Sequence, residues 1–141
     1  MIVVDASVAL QWIVPEPDGQ EDAESVLASA DLWAPDLLLV EVANALRRKV
    51  QLGEVLEEQA LSGFRRVADT LVISSVTTDI ARRALELGLE IGHPVYDCVY
   101  LALAESLDTT IATRDTELTK RFTRAGYAHR LEALPVGGGA S

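Results

Sequence analysis

Four carboxylates, Asp5, Glu41, Asp97 and Asp115, carry most of the chemistry open to this 141-residue chain. Two of them stand at the ends of a unit that runs through His93–Asp115, HPVYDCVYLALAESLDTTIATRD. From Pro94 to Glu105 the residues are strong helix formers, apolar on almost every face, with the proline where a first turn tolerates one. The pattern predicts a buried helix with Asp97 in its first turn, where free N–H groups and the helix dipole favour negative charge by roughly 0.3–1 kcal/mol. After Ser106–Asp108, the β-branched Thr109–Thr113 predicts an interior strand. Asp115 falls just past its C-terminal end, the edge of an open parallel sheet where ligands bind. Taken singly, each acid has a plain structural use: Asp97 compensates a dipole, and Asp115 N-caps the next helix, TELTKRF. A functional reading requires other acids to meet them.

Stepping through the chain supplies two. Ile2–Val4 is a short β-branched run that predicts a buried central strand, closed by Asp5, with Ser7 as N-cap of a helix at Val8–Val14. A helical stretch at about Glu21–Ala30 and a short strand at Leu32–Ala34 follow. Pro35-Asp36 opens a helix over Leu37–Gln51, with Leu38, Val42, Ala45 and Leu46 as its core stripe. Glu41 and Asn44 share a face bordering that stripe. A carboxylate there needs a partner, whether solvent, a base such as Arg48, or a site. Gly53 separates this helix from an antiparallel partner, Glu54–Ala68. Then come a strand at Thr70–Ser74, a helix at Asp79–Glu90 capped by Thr77 or Thr78, a short helix at Glu117–Ala125 and a last strand at Arg130–Leu134. Alternating strands and helices predict a three-layer α/β/α sandwich with a mostly parallel sheet of four to five strands. Residues 1–135 are expected to form one domain and residues 136–141 a flexible tail.

Four acids at one sheet edge cannot all stay ionised until protons or cations neutralise them. Their hard oxygen atoms suit Mg2+ or Mn2+, and two such ions about 3.5–4 Å apart can clamp the attacking and leaving oxygens of a phosphodiester displacement. No glycine-rich phosphate loop, CxxC or HExxH occurs, and no Ser-His-Asp or Cys-His arrangement competes. His93, His129 and Cys98 read as structural. A phosphoacceptor domain or a haloacid-dehalogenase-like phosphatase would also gather acids at strand ends. The phosphatase needs a second aspartate two residues after the first, where this chain has Ser7; both want a site lysine, yet the chain has only Lys49 and Lys120.

Composition narrows the setting. Hydrophobic residues make up 49% of the chain, enough for a core. No apolar run approaches the ~20 residues of a membrane span. The start MIVVDAS lacks a basic segment, and the lone Cys98 has no partner for a bridge, so the expected setting is the cytoplasm. The net charge of −10 is uneven: residues 1–46 hold nine acids and no Lys or Arg, the rest thirteen acids and all twelve bases. Arg114, Lys120, Arg121 and Arg124 lie in a locally basic strip beside Asp115, either a solvated face or a path for a polyanion.

The segments VVDAS, LLLVEVANAL, HPVYDCVYLALAE and IATRD, in this order, resemble the PIN domain, and more narrowly the VapC toxins of bacterial VapBC toxin–antitoxin pairs. The resemblance implies a metal-dependent endoribonuclease in which Asp5, Glu41, Asp97 and Asp115 hold Mg2+ or Mn2+. It also implies that Ser7, Asn44 and Thr113 support those ligands or position water. It further implies an RNA substrate, a small antitoxin whose C-terminal segment presents a basic residue to the acidic pocket, and a homodimer. A non-toxin PIN nuclease and a catalytically silent PIN-like binding module remain the alternatives. One position departs from the common pattern: Arg114 stands between Thr113 and Asp115 where a small residue is frequent, to steer a phosphate or to face solvent.

Overall fold

The computed structural model describes residues 1–14 and 31–132. Four parallel strands form one sheet: β1 (Ile2–Val4), β2 (Leu32–Pro35), β3 (Val72–Ser74) and β4 (Ile111–Ala112), in the order β3-β2-β1-β4. Six α-helices accompany them among the described residues: α1 (Ala6–Gln11), α2 (Leu37–Gln51), α3 (Glu57–Thr70), α4 (Thr78–Ile91), α5 (Val95–Ser106) and α6 (Thr116–Arg124). Strands β1 and β4 are short because they are buried on both faces and need only enough length to cross the core. Val3, Val4, Ile111 and Ala112 are all fully buried.

Chain direction across the sheet explains the layers. From β1 through β2 to β3 the chain steps one way; from β3 to β4 it returns past β2 and β1. Right-handed crossovers then put α2 and α3 on one face and α4 and α5 on the other. The order reverses between β1 and β4, which makes the crevice at their C-terminal ends the place where such a sheet binds ligands. This agrees with the parallel α/β sandwich read from the sequence. No helix among the described residues is long and apolar enough to cross a membrane.

Helix α5 is the hub, as its all-round apolar sequence requires. Seven consecutive residues, Cys98–Ala104, are buried, and the helix packs on β1, β2, β4 and α4. Arg83 on α4 ties to Glu105 on α5 through two parallel bonds, Nε to Oε1 at 2.8 Å and Nη2 to Oε2 at 3.1 Å. Gly92, with φ +71, ends α4 in the left-handed conformation that glycine adopts without strain, and the chain turns into Pro94 and α5. On the other face α3 comes close to the end of α1. A Cβ on Gly63 would stand 2.5 Å from the Ile13 side chain, so only glycine permits that approach.

Several boundaries differ from the sequence reading: β4 is Ile111–Ala112 rather than Thr109–Thr113, β3 begins at Val72 rather than Thr70, and α1 ends at Gln11 rather than Val14. Asp5, not Ser7, is the N-cap of α1, because Asp5 keeps the extended backbone of the strand end and its carboxylate accepts from Val8 N. The helix therefore starts at Ala6 and places Ser7 in its first turn. The partner of α2 begins at Glu57, after a longer connection through Gly53. Of the strand expected at Arg130–Leu134, Arg130 belongs instead to a 3-10 turn at Ala128–Arg130 and Leu131 makes a single parallel bridge to Ile111, while residues 133–134 lie outside the described residues. The helix expected at Glu21–Ala30 and the tail expected at residues 136–141 lie outside the described residues.

Candidate active site

Asp5 is the buried centre of the site. It follows β1 at the switch crevice, is 6% exposed, and its two oxygens are engaged by neighbours from both sides. Oδ1 accepts from Ser7 Oγ at 2.6 Å and from Val8 N at 3.2 Å. Oδ2 accepts a short hydrogen bond from Thr113 Oγ1, a residue 108 positions away brought alongside by β1–β4 pairing. Burial raises the Asp5 pKa from 3.8 to about 6, with the charge of Asp115 adding to it and the hydrogen bonds from Ser7, Thr113 and Val8 opposing it. Ser7 and Thr113 thus hold the carboxylate between them. Arg114 N donates to Ser7 Oγ at 2.9 Å, and Asp115 N donates to Thr113 Oγ1 at 3.0 Å, so the loop after β4 is locked to the end of β1.

Asp115 fills the capping role anticipated for it. It caps α6, Oδ1 accepting from Glu117 N at 3.0 Å and Leu118 N at 3.1 Å. Its Oδ2 makes no hydrogen bond among the described residues, and its charge reaches Asp5. Asp97 sits in the first turn of α5, and its Oδ2 lies 2.6 Å from His93 Nε2. That imidazole is held edge-on to Phe122, with ring centroids 5.5 Å apart. Glu41, on α2, is half-buried; burial raises its pKa, a hydrogen bond from Tyr100 lowers it, and the charge of Asp97 raises it.

Tyr100 links these groups and was not among the residues singled out from the sequence. It is 1% exposed, and its hydroxyl donates a short hydrogen bond to Glu41 Oε1. Its pKa is pushed well up by burial first, then by that bond, and by the charges of Glu41, Asp5 and Asp97. One buried phenol therefore lies within electrostatic reach of three of the four acids, and the fourth, Asp115, is coupled to Asp5. The one sequence signal was its spacing, three residues past Asp97 on the same helical face. His93, read as structural, stands one helical turn before Asp97 and bonds to it. Asn44 is exposed and makes no hydrogen bond among the described residues. Cys98 is fully buried with its thiol pKa raised to about 11 by burial and by Asp97, a core residue as expected.

The basic strip is only loosely joined to this cleft. Lys120, Arg121 and Arg124 are exposed on α6. Arg121 pairs with Glu117 at 3.6 Å and donates to Gly92 O at 3.1 Å.

The donor set is all oxygen, buried at one end and open at the other, with mutual repulsion to be relieved. That fits a hard divalent cation. Among the described residues no three His, Cys, Asp or Glu side chains close into a ready coordination shell. An ion that keeps several of its own waters, as Mg2+ does, matches such an open arrangement better than one that needs a full protein cage.

The PIN domain family model matches residues 2–123. The chain belongs to the PIN domain family. Within it the likeness is to VapC ribonucleases, whose family is generally divalent-metal dependent. Ribonuclease VapC3 of Pyrobaculum aerophilum is 30% identical over 123 residues, 86% of this chain and 94% of that protein. Ribonuclease VapC9 of Mycobacterium tuberculosis is 36% identical over 122 residues, 84% of this chain and 89% of that protein. The fold also matches the crystal structure of Mycobacterium tuberculosis VapC20, a sarcin-ricin loop cleaving toxin, with a TM-score of 0.70 at 18% identity, over 96% of this chain and all of that one. The PIN fold accounts for the switch-point cleft described above.

Proposed function

We propose that this PIN domain is the ribonuclease toxin of a toxin–antitoxin pair, acting in the cytoplasm, with Asp5, Glu41, Asp97 and Asp115 holding Mg2+ or Mn2+. The observation that supports the reading is the carboxylate of Asp5, buried at the switch crevice beside Ser7 and Thr113, with the buried Tyr100 hydroxyl bonded to Glu41 and in the field of Asp5 and Asp97. When bound, the divalent ions supply a water acidic enough to attack a phosphodiester and neutralise the charge that develops on it.

The chain's own residues prepare that step. Ser7 and Thr113 fix both Asp5 oxygens, so the carboxylate cannot rotate away from the cleft. Tyr100 orients Glu41, and the nearly buried His93 ring orients Asp97. Asp115 keeps one oxygen on the α6 cap and turns the other outward. RNA approaches across Arg114, Lys120, Arg121 and Arg124, the part of the surface where a polyanion meets least repulsion.

The antitoxin reading rests on a groove of about 450 Å3 between α2 and α3, lined by Ala43, Leu46, Val50, Ala60, Leu61 and Phe64. An apolar groove between two helices is the seat of an amphipathic partner helix. A homodimer would cover Leu85 and Leu89, one turn apart on α4, and the neighbouring Tyr96, which are 51%, 77% and 67% exposed.

Cleavage of a mixed RNA panel tests the function directly. The purified chain should cut RNA with Mg2+ or Mn2+ and stop with EDTA, and the Asp97→Asn variant should be silent. Cleavage undiminished in EDTA, or an active Asp97→Asn variant, would overturn the metal-site reading.

A further inference from the structure

A second cavity, beside the carboxylate cleft, has the make-up of a ligand site. It measures about 300 Å3 and is lined by Ser7, Leu10, Gln11, Val14, Lys49 and Arg114. That is the small end of ligand pockets, room for one ring system and its sugar. Gln11 is 8% exposed, one of the few buried polar residues, and its amide makes no hydrogen bond among the described residues although it lines the cavity. The amide therefore keeps its bonding capacity for whatever enters the cavity, and a glutamine amide offers a donor and an acceptor in one plane, the pattern that matches the edge of a nucleobase. Leu10 and Val14, joined by a hydrogen bond from Val14 N to Leu10 O at 2.9 Å, supply an apolar wall for a ring face.

Charge and connectivity point the same way. Lys49 and Arg114 are the two ionic groups of the lining. Lys49 Nζ pairs with Glu54 at 3.3 Å, with 29% and 49% of the two side chains exposed, a half-exposed pair that an incoming phosphate can displace. Ser7 belongs to both places: its Oγ donates to Asp5 Oδ1 at 2.6 Å and accepts from Arg114 N at 2.9 Å. The cavity and the cleft therefore share a wall.

We infer that this cavity receives a nucleotide adjoining the bond that is cut, with Gln11 reading its base and Lys49 and Arg114 meeting its phosphates. The inference rests on the ribonuclease reading and adds to it a residue that sets sequence preference. Gln11→Met keeps the length of the side chain and removes the amide. Wild type and Gln11→Met are each given a randomised RNA pool with Mg2+, and the cut ends are sequenced. The expected result is a preference of about tenfold for one base at one position beside the cut in wild type, flattened at that position alone in the variant.

A second measurement stands independent of turnover and of how the variant folds. The Asp97→Asn protein is titrated with each of the four nucleoside 5′-monophosphates and followed by amide chemical shifts. One nucleotide should move the signals of Leu10, Gln11 and Val14, and adding Lys49→Ala should weaken its binding severalfold. A Gln11→Met cut-site profile that coincides with wild type, or monophosphates that leave those amides unmoved, overturns the subsite while the nuclease reading stands. A wild-type protein that cuts nothing in the pool overturns the nuclease reading instead, and the titration still decides the cavity.

Discussion

Asp5→Asn should make the metal-free protein more stable at neutral pH and abolish its cleavage. Burial raises the Asp5 pKa from 3.8 to about 6. Between those values the unfolded chain has lost its proton and the folded chain keeps it, so stability falls as pH rises from about 4 to about 6 and stays lower above that. A shift of about two units corresponds to about 3 kcal/mol, and Asp5 is buried, so solvent does not screen it away. Asparagine carries no charge to desolvate. Its Oδ1 can still accept from Ser7 and Val8, and Thr113 can rotate to accept from its amide. Allowing about 1 kcal/mol for the weaker, neutral hydrogen bonds, the variant should gain about 2 kcal/mol at pH 7.5, or roughly 4–8 °C in Tm. Urea unfolding in EDTA at pH 4.0 and pH 7.5 measures it. The two proteins should differ by much less at pH 4.0, and saturating Mg2+ should restore wild type relative to the variant. A variant equally destabilised at both pH values would falsify the claim that Asp5 carries a buried, unneutralised charge.

Four further outcomes follow from the same geometry. Asp115→Asn should cut RNA slower by on the order of a hundredfold or more while its Tm stays close to wild type, because asparagine caps α6 as well as aspartate does; turnover and a thermal melt check both. Tyr100→Phe removes the donor to Glu41 and should weaken Mg2+ or Mn2+ binding by roughly 10–100-fold in a calorimetric titration, with little change in secondary structure. Replacing Lys120, Arg121 and Arg124 with alanine should weaken RNA binding and reduce its salt slope by about 1–2, less than three full contacts because Arg121 is already engaged by Glu117 and Gly92; metal binding should be unchanged. Leu61→Glu, at a position 66% exposed in the α2–α3 groove, should leave folding and cleavage intact and abolish binding of the helical partner proposed for that groove, read by co-purification.

Much of the frame was legible because its boundaries are written in residues with one local meaning. Pro35-Asp36 and Gly53 bracket α2, which begins and ends where the sequence reading placed it, and Gly92 before Pro94 marks the joint between α4 and α5. The choice between Asp5 and Ser7 as the cap of α1 was not legible, since both residue types cap well; the extended backbone at the end of β1 decides it. Tyr100 hid inside an apolar run where tyrosine reads as core, and its partner Glu41 lies 59 positions away. The segment after Tyr127 has the composition of a strand, yet Arg130 Nη1 bonds to Asp108 Oδ1 and Thr109 O, and those ties hold a 3-10 turn. Local patterns show where an acid sits along its element; only packing shows which acids share a phenol.

The pairing of β1 with β4 has a kinetic consequence. Thr113 and Asp5, like the strands that carry them, meet across more than a hundred residues of intervening chain, so the contact that completes the cleft is among the most expensive in loop-closure entropy and forms late. A partly folded chain in which β1, β2 and β3 have met but β4 has not docked lacks Asp115 and leaves Asp5 without Thr113. Such an intermediate has a sheet but no nuclease. On the proposed nuclease reading, the cleft is completed at a single step, the insertion of two strand residues, Ile111 and Ala112, beside Val3 and Val4. Anything that slows that insertion delays the complete cleft without changing the finished fold.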